Sequence, residues 1–134
     1  FLFNAVPEFI LSPVANIGWG YVPAVSANDA QRFKDEIGLP IISNGGYQDM
    51  DIMEQTLQQG KADMLAMARP LLANVNLLQL FKEGRNAPDK PCTHCNRCVV
   101  RTANFPLGCY DESRFSNIAE MEEQIMLWSS NSEL

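Results

Sequence analysis

Residues 39–69 read LPIISNGGYQDMDIMEQTLQQGKADMLAMAR, and this stretch decides the fold. An apolar run at 39–43 ends at an Asn-Gly-Gly turn, and a nearly continuous apolar run follows at 62–68. A helix between the runs is predicted from a cap, an apolar face and a terminating glycine: Asp49, then Met53, Thr56 and Leu57, then Gly60. Apolar runs without alternation are typical of parallel strands covered on both faces. The stretch therefore predicts a β-α-β crossover within an α/β fold.

Three further helices are predicted from apolar residues at helical spacing. One spans Ser26 to Gly38, one begins at an Asn74 cap and ends at Gly84, and one lies near the carboxyl terminus. Their apolar faces are Ala30, Phe33 and Ile37; Leu77, Leu78 and Phe81; and Ile118, Met121, Ile125 and Trp128. Helices alternating with parallel strands fit either a doubly wound sheet or a (β/α)8 barrel.

Two loops follow the carboxyl ends of the predicted strands, where parallel α/β folds bind their ligands. Gly45 and Gly46 allow the backbone to approach a ligand closely, and the following helix presents its positive amino end. Ala68 and Arg69 follow the second strand and place a cation within reach of the same anion. This pattern predicts a phosphate site, and the alternative is a plain turn beside a solvated arginine.

The cysteines of the chain lie in one segment with the spacing C-x2-C-x2-C-x10-C. They are Cys92, Cys95, Cys98 and Cys109. Disulfides are disfavoured because nothing in the sequence signals secretion. Zinc commonly takes two separated cysteine pairs, whereas three close cysteines and one distant one are more typical of an iron-sulfur cubane. The cluster, a zinc ion and unoccupied thiols remain the alternatives, and His94 is not expected to be a ligand.

The bulk composition limits the possible partners. The chain has 134 residues and a net charge of −6, which argues against nucleic acid and anionic membranes because both favour a basic surface. Apolar stretches fall short of the roughly 20 residues that span a bilayer. We therefore expect a globular protein with neither partner.

Four segments in order resemble the carboxyl-terminal part of the NADH:flavin oxidoreductase family, the relatives of old yellow enzyme. They are PIISNGG, QQGKADMLAMARPLLAN, KEG and PCTHCNRC. The resemblance covers about residues 24–110 and is greatest to the iron-sulfur branch, which includes trimethylamine dehydrogenase and 2,4-dienoyl-CoA reductase. It implies an oxidoreductase with NAD(P)H as reductant and a small-molecule electron acceptor. It also implies an FMN-binding (β/α)8 barrel, of which this chain supplies the last two strand-helix units.

The resemblance also implies roles for individual residues. In the family, a glycine loop after the seventh strand and a Gly-Arg or Ala-Arg turn after the eighth bind the FMN phosphate. The corresponding residues here are Asn44, Gly45, Gly46, Ala68 and Arg69. The resemblance favours a [4Fe-4S] cluster on Cys92, Cys95, Cys98 and Cys109. No catalytic acid, base or nucleophile is identified.

The expected organisation has three parts. Residues 1–84 are expected to form the barrel units, residues 85–110 a cysteine-rich loop, and residues 111–134 a terminal helix and tail. Within the first part, residues 1–23 do not match the sixth-strand region expected from the family. Because the chain begins with Phe1, we expect a fragment, and its expected partner is either the missing barrel half or a second copy in a homo-oligomer. A cytoplasmic location is expected. The alternative function is a small zinc-binding structural or interaction module.

Overall fold

The computed structural model describes residues 20–102 and 104–130, with residues 10, 13, 14 and 17 before them and the backbone alone at 128–130. The chain divides into two compact units. The strand unit is Tyr21–Pro91, and the cysteine unit is Phe1–Gly20 with Cys92–Leu134. Most of the segment 1–23, whose role the sequence left open, lies outside the described residues. Within the described part of the chain, no helix has the length and apolar character of a membrane span.

The strand unit has the predicted α/β order. Its elements are α1 (Ala27–Ile37), β1 (Ile42–Asn44), α2 (Met50–Gln58), β2 (Met64–Ala66), α3 (Arg69–Ala73) and α4 (Leu77–Lys82). The two strands pair in parallel, with Ile42 opposite Met64 and Asn44 opposite Ala66. The α/β class and the β-α-β crossover are therefore confirmed. The described residues form a two-stranded sheet, so the barrel itself is not seen.

Polar contacts fix the strand register at the amino ends of β1 and β2. The Ile41 N–H donates to Asp63 Oδ2 at 2.9 Å, and the Asp63 N–H donates to the Ile41 carbonyl at 2.9 Å. Lys34 of α1 donates from Nζ to Asp63 Oδ1 at 2.8 Å, so the helix is joined to both strands. The hydrogen bonds from Lys34 and from the Ile41 N–H hold the pKa of Asp63 below its usual value.

The core of the strand unit lies on one face of the strands. Its buried residues are Tyr47, Met53, Leu77 and Phe81. Leu65 packs against this cluster, and its register partner Ser43 shares a hydrogen bond of 2.9 Å with the Tyr47 hydroxyl. Residues from α2 and α4 therefore cover the face of the sheet to which Ser43 and Leu65 belong.

The opposite face of the strands is uncovered, and this corrects the prediction that the second strand is buried on both faces. Ile42 is 59% exposed and its register partner Met64 is 51% exposed. Register partners project to the same face of a sheet, so both side chains lie on this open side. The described helices α2 and α4 supply one layer only, which leaves the second face without a cover.

The helices agree with the predictions in position more than in burial. α1 is terminated by Gly38, as predicted, and this glycine has a left-handed backbone. Phe33 and Ile37 on the predicted apolar face are nevertheless exposed. Met53 and Thr56 of α2 are buried, whereas Leu57 is exposed. An amphipathic pattern predicts that the apolar face of a helix packs against another layer. Among the described residues, no such layer covers Phe33, Ile37 or Leu57.

The helix predicted to start at Asn74 starts three residues later, as α4, and the further short helix α3 precedes Asn74. Asn74 ends α3 with an extended backbone, and α4 begins after Asn76. Proline in a first helical turn is favourable, which explains why α3 forms around Pro70. Leu77 and Phe81 are buried as predicted, but Leu78 is exposed.

The cysteine unit contains three described helices. They are α5 (Arg97–Arg101), a 3₁₀ helix (Glu112–Arg114) and α6 (Ile118–Ser130). α5 lies within residues 85–110, the segment predicted to be a loop. A helix of five residues is too short to show a helical period in the sequence. Met121 and Ile125 of α6 are buried with Tyr110, while Ile118 is exposed. The side chain of Trp128, also predicted on this face, lies outside the described residues.

Candidate functional site

The glycine loop after β1 has a backbone that only glycine adopts readily. Gly45 and Gly46 have φ values of +136° and +74°. A Cβ on Gly46 would lie 2.2 Å from the Val22 carbonyl oxygen, and a Cβ on Gly45 would lie 2.8 Å from Ser26 Oγ. The segment preceding α1 therefore packs directly onto the loop. The backbone contact requires glycine at position 46, whereas Gly45 meets side-chain atoms and is required by its positive φ.

Hydrogen bonds orient the same loop. The Gly46 carbonyl accepts from the Ala24 N–H at 3.3 Å and from the Tyr21 hydroxyl at 3.2 Å. In a trans peptide the carbonyl and the following N–H point in opposite directions, so the Tyr47 N–H points away from Tyr21 and Ala24. Within the described residues, neither Gly46 nor Tyr47 donates its N–H to another group. The loop thus presents two amide donors that a phosphate can accept.

The amino end of α2 corrects one part of the sequence argument. Asp49 precedes the helix but its side chain makes no capping bond. Instead, the Met50 N–H donates to the Asn86 carbonyl at 2.9 Å, and the Asp51 N–H donates to Asn86 Oδ1 at 2.8 Å. Two of the donors that the helix was expected to offer an anion are therefore already satisfied by Asn86.

The turn after β2 leaves the sheet beside the glycine loop. Asn44 and Ala66 are register partners at the carboxyl ends of their strands. Gly45 follows the first directly, and Ala68 and Arg69 follow the second after one residue. Arg69 is the first residue of α3 and is half-buried, and the Ala68 carbonyl accepts from Leu71 and Leu72. All five predicted phosphate-site residues thus lie at one edge of the sheet, with Asn44 exposed there.

Gln48 is a residue of this loop that sequence patterns did not single out. Its side chain is 8% exposed, and its buried Oε1 has no hydrogen-bond partner among the described residues. A buried amide oxygen without a partner costs about 1–3 kcal/mol, so such an atom marks a place where a water or a ligand group belongs. Its only sequence signal is its position between the glycine pair and α2.

The four predicted metal ligands are all half-buried cysteines, and none of them forms a disulfide among the described residues. Burial raises the pKa of Cys98 and of Cys109, and the nearby Cys92 and Cys95 raise both further. This mutual influence shows that the four thiols share one region. Among the described residues, however, no three or more metal-ligating side chains are arranged as a preformed metal site.

The loop that carries the first three cysteines is shaped by left-handed residues. His94 and Asn96 have φ values of +56° and +59°. The His94 N–H donates to Cys92 Sγ at 3.4 Å. Asn96 directly precedes α5, which carries Cys98.

A buried aspartate cross-links this loop to the segment after Cys109. Asp111 accepts hydrogen bonds from the Thr93 hydroxyl and from the Ser113 N–H and hydroxyl. Burial alone would raise the pKa of Asp111, but these bonds and the charge of Arg97 outweigh it and hold the pKa below its usual value. Arg97 also pairs with Glu112 at 3.2 Å. Sequence patterns did not identify Asp111, because its partner Thr93 lies 18 residues away in the chain.

The cysteine unit also contains a cavity of about 290 Å³. Its lining includes Phe105, Tyr110, Met121 and Ile125, with Arg101 and Glu122 as its charged residues. The Arg101 guanidinium lies 4.7 Å from the centre of the Tyr110 ring. This cavity has no counterpart in the sequence analysis.

Comparison with known protein families identifies a family that matches part of the chain. The sequence model of the NADH:flavin oxidoreductase / NADH oxidase family matches residues 16–88, which include the glycine loop and the Ala68–Arg69 turn. No solved structure matches the chain significantly.

Curated proteins similar to the chain are also oxidoreductases. A metal reductase of Desulforamulus reducens is 29% identical over 110 residues, which are 81% of this chain and 16% of that protein. A cinnamate reductase of Clostridium sporogenes is 33% identical over 54% of this chain and 11% of its own length. A dimethylamine dehydrogenase of Hyphomicrobium is 30% identical over 60% of this chain and 11% of its own length. The aligned part of the chain thus spans between 11% and 17% of these and similar relatives.

Proposed function

Because the chain belongs to the NADH:flavin oxidoreductase / NADH oxidase family, a family of FMN-binding oxidoreductases, we propose that it forms the FMN-phosphate-binding part of such an enzyme. One observation carries the proposal: the glycine loop and the Ala68–Arg69 turn leave neighbouring parallel strands at the same edge. Ligands in parallel α/β folds bind at this edge. The family match covers both loops.

The loop residues fit a phosphate by their chemistry. Gly46 and Tyr47 offer N–H donors, and Arg69 offers a cation that forms charge-assisted hydrogen bonds with phosphate oxygens. Asn44, Gly45 and Ala68 complete the edge around them. The flavin, when bound, supplies the hydride chemistry, and these residues bind and orient its phosphate.

The same assignment explains the open face of the sheet. As the seventh and eighth strands of a (β/α)8 barrel, β1 and β2 would direct Ile42 and Met64 into the barrel interior, which is filled with branched and apolar side chains. A complete barrel needs about 250 residues. We propose that the other strands come from a further part of the polypeptide or from another chain. The complete enzyme would pass electrons from NAD(P)H to a small-molecule acceptor.

The cysteines fit an iron-sulfur cluster as a second cofactor. Cys92, Cys95, Cys98 and Cys109 supply four thiolates, the usual complement of a [4Fe-4S] cluster. The His94 N–H bond to Cys92 Sγ is of the kind that tunes such clusters. A cluster supplies single-electron transfer, and the loop residues hold the sulfurs. The alternative is a structural zinc ion in a small interaction module, which would give the two phosphate-site loops no role.

Substitution of Arg69 tests the phosphate site. We expect Arg69→Ala to weaken FMN binding by about 10- to 100-fold, because a charge-assisted bond to phosphate is lost. Titration of the purified chain with FMN, followed by flavin fluorescence, measures this change. Arg32→Ala is the matched control, since Arg32 is an exposed arginine of α1 paired with Asp29. Equal FMN affinity in Arg69→Ala and the unmodified chain would contradict the phosphate site.

A further inference from the structure

We propose that Asn86 is the positioning residue of the phosphate loop, which it holds through the amino end of α2; this inference rests on the proposed function. The backbone carbonyl of Asn86 accepts from Met50 and its side-chain Oδ1 accepts from Asp51, at 2.9 and 2.8 Å. These are the first two N–H groups of α2, which every helix leaves without an internal partner. Asn86 thus serves as the cap that Asp49 does not provide.

Asn86 is itself held in place. The Gly84 N–H donates to Phe81, and the Arg85 N–H donates to Leu80, both at 3.0 Å, so the chain turns sharply at the end of α4. Gly84 has a φ of +81°, and Arg85 forms an ion pair with Asp89. Phe81 of α4 also packs with Met53 of α2 in the core. The cap is therefore a fixed point relative to α2.

The consequence is a loop fixed at both ends. Gly46 is bonded to Tyr21 and Ala24, and Met50 is bonded to Asn86. The residues between these anchors, with the Tyr47 N–H, are held in one conformation before a ligand arrives. A preorganised loop binds more tightly because less ordering is needed on binding. Since Asn86 also occupies the helix end, the phosphate is bound by loop amides and Arg69 rather than by α2.

The test compares flavins that differ in the phosphate. Asn86→Ala removes Oδ1 but keeps the carbonyl, so amide hydrogen exchange should accelerate at Asp51 while Met50 stays protected. We expect FMN affinity to fall about three- to tenfold, the factor that corresponds to the free energy usually lost with a helix cap. Affinity for riboflavin, which lacks the phosphate, should be unchanged. Asn28→Ala is the control, because the Asn28 side chain accepts a hydrogen bond from Lys61 rather than from α2 or the glycine loop.

Each other outcome overturns the proposal. Equal weakening of FMN and riboflavin would assign Asn86 a general structural role. Unchanged FMN affinity despite faster exchange at Asp51 would show that the cap does not position the loop. If Asn86→Ala does not fold, Asn86→Gln keeps the amide but moves its oxygen by one methylene from the Asp51 N–H, and it must weaken FMN binding but not riboflavin binding. Failure of the unmodified chain to bind FMN, with normal exchange protection at Asp51, would overturn the proposed function itself.

Discussion

At the scale of single residues, Gly46 is constrained both by its backbone and by its surroundings. Its φ is +74°, and an added Cβ would meet the Val22 carbonyl, an atom of the backbone that does not move cheaply. Gly60 has a similar φ of +69°, but nothing lies within 4 Å of its Cβ position. The two glycines therefore separate the cost of the conformation from the cost of the contact.

The comparison yields a stability prediction. Gly60→Ala should lower the free energy of unfolding by about 1–2 kcal/mol, the usual penalty for an alanine in the left-handed backbone conformation. Gly46→Ala should cost about 3 kcal/mol or more, because the contact with the 22–24 segment is added. Urea denaturation measures both values. Equal losses at the two positions would show that the segment before α1 does not pack on the glycine loop.

At the scale of elements, Asp63 joins α1, β1 and β2. Its carboxylate accepts from Lys34 and from the Ile41 N–H, and its own N–H pairs with the Ile41 carbonyl. A slip of the strands by one residue would turn Ser43 and Leu65 away from the core. The hydrogen bonds of Asp63 therefore favour the strand register in which the core forms.

The lowered pKa of Asp63 predicts how stability depends on pH. Because the folded-state pKa lies below the ordinary value of 3.8, the stabilisation is complete above that pH and is lost as the pH falls through the folded-state pKa. Asp63→Asn should lower the melting temperature at neutral pH and flatten its fall below pH 3.8. Asp35→Asn is the control, since Asp35 is exposed on α1 and has no polar partner among the described residues. If the melting temperatures of Asp63→Asn and the unmodified chain depended on pH in the same way, the stabilising role of the Asp63 carboxylate would be refuted.

At the scale of the whole molecule, the chain has two units with separate chemistry. The strand unit carries the proposed phosphate site, and the cysteine unit carries the four thiols. The absence of a preformed ligand arrangement among the described residues is compatible with thiols that rearrange when a metal binds, because metal binding and loop folding are coupled. A measurement of bound metal therefore distinguishes between the proposed roles of the cysteine unit.

Anaerobic reconstitution with iron and sulfide tests the cluster. We expect about four iron and four sulfide per chain, with visible absorbance, as for a [4Fe-4S] centre. Cys98→Ser should lower the iron content, whereas His94→Ala, in the same loop, should retain it because His94 is not expected to be a ligand. One zinc ion per chain and no bound iron would instead support the structural alternative.

The local patterns of the sequence determined much of the strand unit. Runs of apolar residues, a cap and glycine punctuation predicted β1, α2 and β2 in order, because these signals act between residues close in the chain. The two loops with Gly45–Gly46 and Ala68–Arg69 follow from the same order, since parallel strands bring their carboxyl ends to one edge. The cysteine spacing likewise needed no structure to be noticed.

The tertiary structure alone decided which partners these elements meet. Asn86 caps α2 from 35 residues away, and Asp111 reaches back to Thr93 across 18 residues. Neither contact has a periodic signal, because only chain folding brings the partners together. Exposure of Ile42, Met64 and Phe33 is decided in the same way: an amphipathic pattern states that a face prefers burial, but the neighbouring layers determine whether it is covered.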